Sequence, residues 1–182
     1  IDRPVPSKTT RSIIRITAFA FFLDKTECVT SGWFRSTTSM LALSFSLTKI
    51  GFMRLPPLPR VGAHLQMKPV EEVCWFGRGP HENYPDRLSS ADIGDWRVPI
   101  GDMHTPYIFP SENGLRCDVS RLQLGDVSVQ GWFHFSVSPY GFEQLKTANH
   151  DHQLVRASHL HLCIDGFHMG VGGDDSWTPS TK

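Results

Sequence analysis

The stretch VSVQGWFHFSV, residues 127 to 137, decides the fold class of this chain. Its apolar residues occupy alternate positions and therefore share one face of an extended strand: Val127, Val129, Phe133, Phe135 and Val137. Gly131 falls in the same register without a side chain, which is a suitable place for a β-bulge. The pattern predicts a half-buried β-strand.

Three further stretches have the character of short strands. They are VGAHLQM (61 to 67), EEVCWFG (71 to 77) and LHLCI (160 to 164), the first and last of which alternate apolar and polar residues. One segment, residues 139 to 150, favours a helix, with Phe142 and Leu145 three apart and a proline suited to a first turn. Strands outnumber helices, so we predict an all-β antiparallel sandwich.

The charge balance argues against two classes of partner. The 182 residues carry 18 Lys or Arg and 18 Asp or Glu, so no excess of positive charge favours nucleic acid or an anionic membrane. The most apolar run, residues 13 to 23, is interrupted by Arg15 and falls short of the roughly 18 residues that a membrane span needs. We predict neither kind of partner.

The charges are distributed unevenly along the chain. Residues 1 to 53 carry seven Lys or Arg against three acids, whereas residues 54 to 182 carry eleven against fifteen. The first segment contains no motif, and the proline-rich LPPLPRVG (55 to 62) after it indicates a linker or the entry to an edge strand. We therefore predict two parts, a poorly matched segment 1–53 and a β-sandwich 54–182.

The cysteines favour a reducing compartment. Cys28, Cys74, Cys117 and Cys163 lie far apart, without a CxxC pair. We expect buried free thiols rather than disulfides, and a cytoplasmic protein.

Two histidine pairs are candidate metal ligands. His150 and His152, like His159 and His161, have the HxH spacing that places both rings on one face of a strand, where they could chelate zinc. However, His159 and His161 lie opposite the apolar face of their strand, where solvated histidines are common, and no third ligand has a diagnostic spacing. We predict no metal site on this chain.

The motifs of several enzyme classes are absent from the sequence. It contains no GxSxG, and GRGPHENYP (77 to 85) matches neither GxGxxG nor GxxxxGK. Asp174 and Asp175 are adjacent, so their side chains diverge, whereas a glycosidase pair spans roughly 5 to 9.5 Å across the scissile bond. We expect them to accept backbone amides in the turn at Gly172 and Gly173.

Trp177 closes this glycine- and acid-rich turn and precedes Thr178 and Pro179. An aromatic face at such a place can bind the C–H face of a sugar, with nearby carboxylates accepting hydroxyl groups. Packing within the domain is the other interpretation. The residues by themselves leave both open.

Three segments carry a resemblance to a known family. They are WFGRGPHENYPDRLSSADIGDW (75 to 96), DMHTPYIFPSENGLRCDV (102 to 119) and IDGFHMGVGGDDSWTPS (164 to 180). Together they closely resemble the C-terminal domain of the large β-galactosidases of glycoside hydrolase family 2, also called the small chain. The resemblance covers residues 54 to 182 and implies an antiparallel β-sandwich related to galactose mutarotase.

The resemblance also implies a division of labour. It places two catalytic glutamates, with Mg and Na ions, on a separate TIM barrel, so no catalytic residue is expected on this chain. It implies that Trp177 stacks against the galactoside, and that Glu112, Asn113 and Gly114 form a structural loop. The implied partners are the remaining β-galactosidase domains or a large subunit, with a possible homo-oligomer.

The chain also departs from the family pattern. Residues 1–53 do not match the region expected upstream, and the family continues beyond Trp177, so we expect a sandwich incomplete at both ends. Such a fragment should be unstable and inactive alone. Two alternatives stay open: a stand-alone galactoside-binding module and a non-functional fragment.

Overall fold

The structure is a computed structural model that describes residues 14–20, 30–34, 59–108 and 112–171. For the first two ranges the description is of the backbone. The described strands are β1 Ile14–Ala20, β2 Thr30–Phe34, β3 Arg60–Met67, β4 Glu72–Gly79, β5 Asp92–Pro99, β6 Arg116–Leu124, β7 Val127–Ser138 and β8 Leu160–His168. The helices are short: α1 Phe142–Thr147 and two 3-10 helices, Ile100–Met103 and Asp151–Gln153.

The eight described strands form one open antiparallel sheet. Their order across the sheet is β2-β1-β3-β8-β7-β6-β4-β5. Some strands that are adjacent in the sheet, such as β3 and β8, are therefore far apart in the sequence. β3 pairs with β8 across about a hundred residues, with Leu65 opposite Leu162. The all-β antiparallel class is confirmed, and the open sheet is consistent with the predicted sandwich.

The main core contains the apolar alternate positions of the central strands. Its fully buried members include Ala63, Val73, Val119, Leu122, Leu124, Phe135 and Leu162. Trp75 of β4 meets Phe135 of β7 edge to face, with ring centroids 5.5 Å apart. This contact packs β4 against β7 across the intervening strand β6. Burial of such large apolar side chains is the main stabilising contribution to folding.

The four strands predicted from the sequence are present, and so is the bulge. Between Val119↔Phe133 and Arg121↔Gln130, β7 advances three residues while β6 advances two. Gly131 lies in this irregularity with φ at 145°, a conformation that disfavours other residues. The following side chain, Trp132, is 72% exposed.

Four of the eight described strands, β1, β2, β5 and β6, are not predicted by the sequence pattern. β5 lies at an edge of the sheet and exposes about half of its residues, which leaves little apolar alternation. In β6 the register shifts between Arg116 and Val119 and again before Arg121, so a strict period of two is broken. Strand β4 also continues through Gly79, beyond the predicted end at residue 77.

The predicted helix over residues 139 to 150 is shorter than expected. α1 covers six residues and ends where Ala148 adopts extended backbone. Gln153 then accepts the backbone N–H groups of Asn149 and His150 through its side chain, which starts a separate 3-10 turn. Leu145 is buried, as the spacing predicted. Among the described helices, none has the length and apolar character required to cross a membrane.

The first part of the chain contributes to the same sheet. β1 pairs with β3, with Ile16 opposite Leu65 and Ala18 opposite Ala63, and β2 pairs with the other edge of β1. A division of the chain into parts 1–53 and 54–182 stays a prediction.

The three described cysteines are free thiols, as expected. Cys117 and Cys163 are buried and Cys74 is half-buried. Cys28 lies outside the described residues.

Candidate functional site

A cluster of charged side chains lies on the face of the sheet opposite the main core. It consists of Arg60, Glu112, Asp165 and His168, and we call it the polar cluster. Arg60 is 3% exposed and Asp165 is 0% exposed. The Arg60 guanidinium donates to both carboxylate oxygens of Asp165, from Nε at 2.9 Å and from Nη2 at 2.6 Å. This fork-to-fork geometry is the strongest form of a protein ion pair.

A glycine opposite Asp165 makes room for this ion pair. Gly62 of β3 faces Asp165 of β8, directly after a shift in the strand register at Val61. A Cβ atom at residue 62 would overlap the Asp165 carboxylate and the backbone of Ile164. The pair therefore depends on a missing side chain in the neighbouring strand.

Glu112 extends the cluster toward the loop that precedes β6. It accepts from Arg60 Nη1 at 3.3 Å and from His168 Nε2 at 3.4 Å. Burial by itself would raise the pKa of Glu112, but the hydrogen bond from His168 and the charge of Arg60 outweigh it, and the pKa is lowered. Burial raises the pKa of Asp165, and the Arg60 charge opposes that rise.

Arg116 joins two long loops, the one that follows β4 and the one that precedes β6. It is fully buried and donates to three backbone carbonyls: Pro80 at 3.1 Å, Gly114 at 2.9 Å and Met103 at 3.4 Å. Burial lowers its pKa to about 10, which leaves the guanidinium charged at neutral pH. A buried arginine used in this way holds irregular backbone in place.

Two buried asparagines complete these loops. Asn83 accepts from the N–H of Cys117 at 2.9 Å and donates to His81 at 3.0 Å. Asn113 Oδ1 accepts the N–H of Thr105 at 3.0 Å, and Asn113 Nδ2 donates to the carbonyl of Thr105 at 2.7 Å. Gly114 follows with φ at 75°, so the Asn113–Gly114 turn has the structural role expected of it.

The segment after β8 is fixed by two side chains, and we call this arrangement the Gly170 clamp. His168 Nδ1 accepts the N–H of Gly170 at 3.0 Å, and Asp86 Oδ1 accepts the N–H of Val171 at 3.1 Å. Gly170 has φ at 122°, and a Cβ atom there would overlap the Asp86 carboxylate. The clamp thus ties the loop after β4 to the end of β8.

The predicted solvated position of His161 is wrong. It is 9% exposed, because α1 covers this face of the sheet and Phe142 packs edge to face on the neighbouring His64. His64 Nε2 and His161 Nδ1 lie 2.9 Å apart and share a hydrogen bond. Burial and, to a smaller extent, the charge of His159 lower the pKa of His161.

The other histidine pair has a local contact. The rings of His150 and His152 stack with centroids 5.4 Å apart. Within the described ranges, no group of three or more His, Cys, Asp or Glu side chains is arranged to hold a metal ion.

Comparison with known proteins gives the family. The sequence model of the β-galactosidase small chain matches residues 6–182. The chain belongs to the β-galactosidase small-chain family. The match begins within the first 53 residues, where the sequence offered no motif.

Relatives of this small chain are named β-galactosidases. The protein of Aeromonas hydrophila is 55% identical over 133 residues, which are 70% of this chain and 13% of that protein. That of Vibrio cholerae is 57% identical over 127 residues, 69% of this chain and 12% of the relative. That of Psychromonas ingrahamii is 44% identical over 171 residues, 93% of this chain and 16% of the relative. The chain therefore spans only 12–16% of the relatives' length.

Trp177, the candidate substrate-binding residue of the small chain, lies outside the described residues, as do Asp174 and Asp175. Its distance from the described part is nevertheless limited by the covalent chain. Trp177 is six residues after Val171, and an extended chain spans about 20 Å over that length. The Gly170 clamp is therefore the last described anchor before Trp177.

Sequence reasoning missed the polar cluster and the clamp. A weak signal existed for Asp165, an acidic residue that directly follows the apolar run LHLCI of strand β8. Its partner Arg60 is 105 positions away, however, and the pairing of β3 with β8 could not be inferred from spacing. No local sequence pattern distinguishes Asp86 or His168 from other polar residues.

Proposed function

We propose that this chain is the small-chain part of a β-galactosidase that hydrolyses terminal non-reducing β-D-galactose residues, as in lactose. The family match over residues 6–182 carries the proposal, supported by β-galactosidases 44–57% identical to this chain. The remaining domains, or a large subunit, are the proposed partners. The free thiols are typical of a reducing compartment such as the cytoplasm.

In this proposal the small chain supplies Trp177 to an active site built mainly by another domain. The indole face packs against the apolar face of the sugar ring, while two glutamates on the TIM barrel carry out hydrolysis with retention through a covalent galactosyl-enzyme. The Mg and Na ions implied by the resemblance belong to that barrel. The Gly170 clamp supports this role, since it fixes the backbone six residues before Trp177.

The decisive experiment is a substitution in the full-length enzyme that carries this chain. We expect Trp177→Ala to raise KM for a chromogenic galactoside about 10-fold, because an aromatic contact is worth roughly 0.5–1.5 kcal/mol beyond the area it buries. Trp132→Ala is the matched control, since Trp132 is exposed on the bulge of β7. An unchanged KM for Trp177→Ala would show that this indole only packs within the domain.

A second experiment tests the division of labour. The 182-residue chain should show no galactosidase activity alone, and activity should appear when the missing part is added. Hydrolysis by the chain alone would contradict the proposal. Titration of the chain with galactosides, followed by tryptophan fluorescence, should give no saturable response, whereas saturation would indicate a stand-alone binding module.

A further inference from the structure

We propose that Asp86 and His168 are positioning residues that set galactoside affinity without touching the sugar, by fixing the direction in which the chain leaves β8 toward Trp177. This inference rests on the proposed function, in which Trp177 stacks on the substrate. Its basis is the Gly170 clamp, which lies wholly within the described residues.

The clamp holds two consecutive peptide groups. The N–H of Gly170 points to His168 Nδ1 at 3.0 Å, and the N–H of Val171 points to Asp86 Oδ1 at 3.1 Å. Two adjacent amides bound by two side-chain acceptors, the buried His168 and the exposed Asp86, restrict the orientation of the backbone between them. Only glycine allows this at residue 170, because φ is 122° and the Asp86 carboxylate occupies the space of a Cβ atom.

One of the two acceptors, His168, is itself held in place by its neighbours. His168 is buried, its ring lies 5.8 Å from that of Tyr84, and its Nε2 lies 3.4 Å from Glu112. Because Nδ1 accepts from Gly170, the hydrogen-bond pattern assigns the proton of the neutral ring to Nε2, which donates to Glu112. Glu112 is in turn paired with Arg60. Arg60 and Glu112 therefore orient His168, and His168 in turn orients the backbone at residue 170.

The far side of the clamp is apolar. Val171 packs against the small cluster formed by Tyr84, Leu115 and Cys117. Its side chain is thus held while Asp86 holds its N–H group. The loop after β4, which carries Asp86 and Tyr84, consequently fixes the end of β8 from two directions.

Trp177 follows the clamp by only six residues. A change of backbone direction at residue 171 therefore changes the point and the direction from which the chain continues toward Trp177. Misplacement of the indole can cost at most as much as its removal, which we expect to raise KM about 10-fold. Loss of a clamp acceptor should therefore raise KM while leaving the catalytic glutamates and kcat unaffected.

Two matched pairs of variants test the inference in the full-length enzyme. Asp86→Ala removes the acceptor and should raise KM about 10-fold, whereas Asp86→Asn keeps a carbonyl oxygen in place and should restore most of the affinity. His168→Asn retains an acceptor near the Nδ1 position, while His168→Gln retains only a group near Nε2. We therefore expect His168→Gln to raise KM more than His168→Asn.

A double-mutant cycle separates this inference from the proposed function. If the clamp acts through Trp177, Asp86→Ala should have no further effect on KM in a Trp177→Ala background. Additive effects, or an unchanged KM for both Asp86→Ala and His168→Gln when Trp177→Ala alone raises KM, would refute the positioning role. An unchanged KM for Trp177→Ala would refute the proposed function itself. If Asp86→Ala fails to fold, His168→Gln supplies the same cycle.

Discussion

Arg60 and Asp165 are 105 residues apart in the sequence, yet their side chains form a bidentate ion pair at 2.6 and 2.9 Å between β3 and β8. Both groups are almost fully buried, and Glu112 adds a second negative charge at 3.3 Å from the guanidinium. Two carboxylates on one buried arginine give a network in which each charge depends on the others. Burial lowers the pKa of Arg60, but the charges of Cys163, Asp165 and Glu112 and the hydrogen bonding to Asp165 outweigh it and raise the pKa overall.

We predict that Asp165→Asn destabilises the chain by up to about 3–5 kcal/mol, since it leaves the buried Arg60 with Glu112, a partly exposed carboxylate at 3.3 Å, as its remaining counter-charge. Urea denaturation of the 182-residue chain measures the change. The control is Glu72→Gln, which removes the exposed ion pair with Arg97 and should cost less than about 1 kcal/mol. Equal costs for the two variants would contradict the importance of the buried pair.

The lowered pKa of Glu112 predicts a loss of stability in acid. Its pKa in the folded state lies below the ordinary value of 4.5, so its contribution is present above that pH and is lost as the pH falls through the folded value. Glu112→Gln should therefore reduce the decrease in unfolding free energy between about pH 5 and pH 3. Glu143→Gln, a change at an exposed carboxylate on α1, should leave this pH dependence as in the parent chain.

Arg116→Met should loosen the two long loops at once. The change removes the Arg116 donor from the carbonyls of Pro80, Met103 and Gly114, and at the buried residues Met103 and Gly114 a group left unsatisfied costs about 1–3 kcal/mol. Hydrogen exchange should become faster at the amides of Asn83 and Cys117. Arg121→Met on the same strand removes an exposed pair with Asp95 and should leave this exchange unchanged. Equal hydrogen-exchange rates at these two amides in both variants would mean that the loops do not depend on Arg116.

The cysteines should differ in reactivity. Burial raises the pKa of both Cys117 and Cys163 to about 12, so neither forms the reactive thiolate near neutral pH. Cys74 is half-buried and borders a surface depression beside Arg97 and Gln123. Iodoacetamide at about pH 8, followed by peptide mass spectrometry, should label Cys74 before Cys117 and Cys163. Labelling of Cys117 or Cys163 at the same rate in the folded chain would show that the core opens easily.

The core strands could be predicted because their signal is local. In β7 and β8 the apolar residues alternate on contiguous backbone, and the same alternation buries Phe135 and Leu162 in the sheet. β5 could not be predicted in this way, since an edge strand buries little and leaves a weak pattern. The burial of His161 also escaped prediction, because α1, which covers it, comes from another part of the chain.

The sequence by itself determined the all-β class, the bulge at Gly131 and, through three long matched segments, the family. Only the tertiary structure decided which polar residues act together: Arg60 with Asp165, and Asp86 with Val171. Local periodicity depends on neighbours two to four positions apart, and it is therefore visible in a single sequence. The contacts Asp86–Val171 and Arg60–Asp165 join residues 85 and 105 positions apart. They depend on which strands and loops are adjacent in the folded sheet, which local periodicity does not specify.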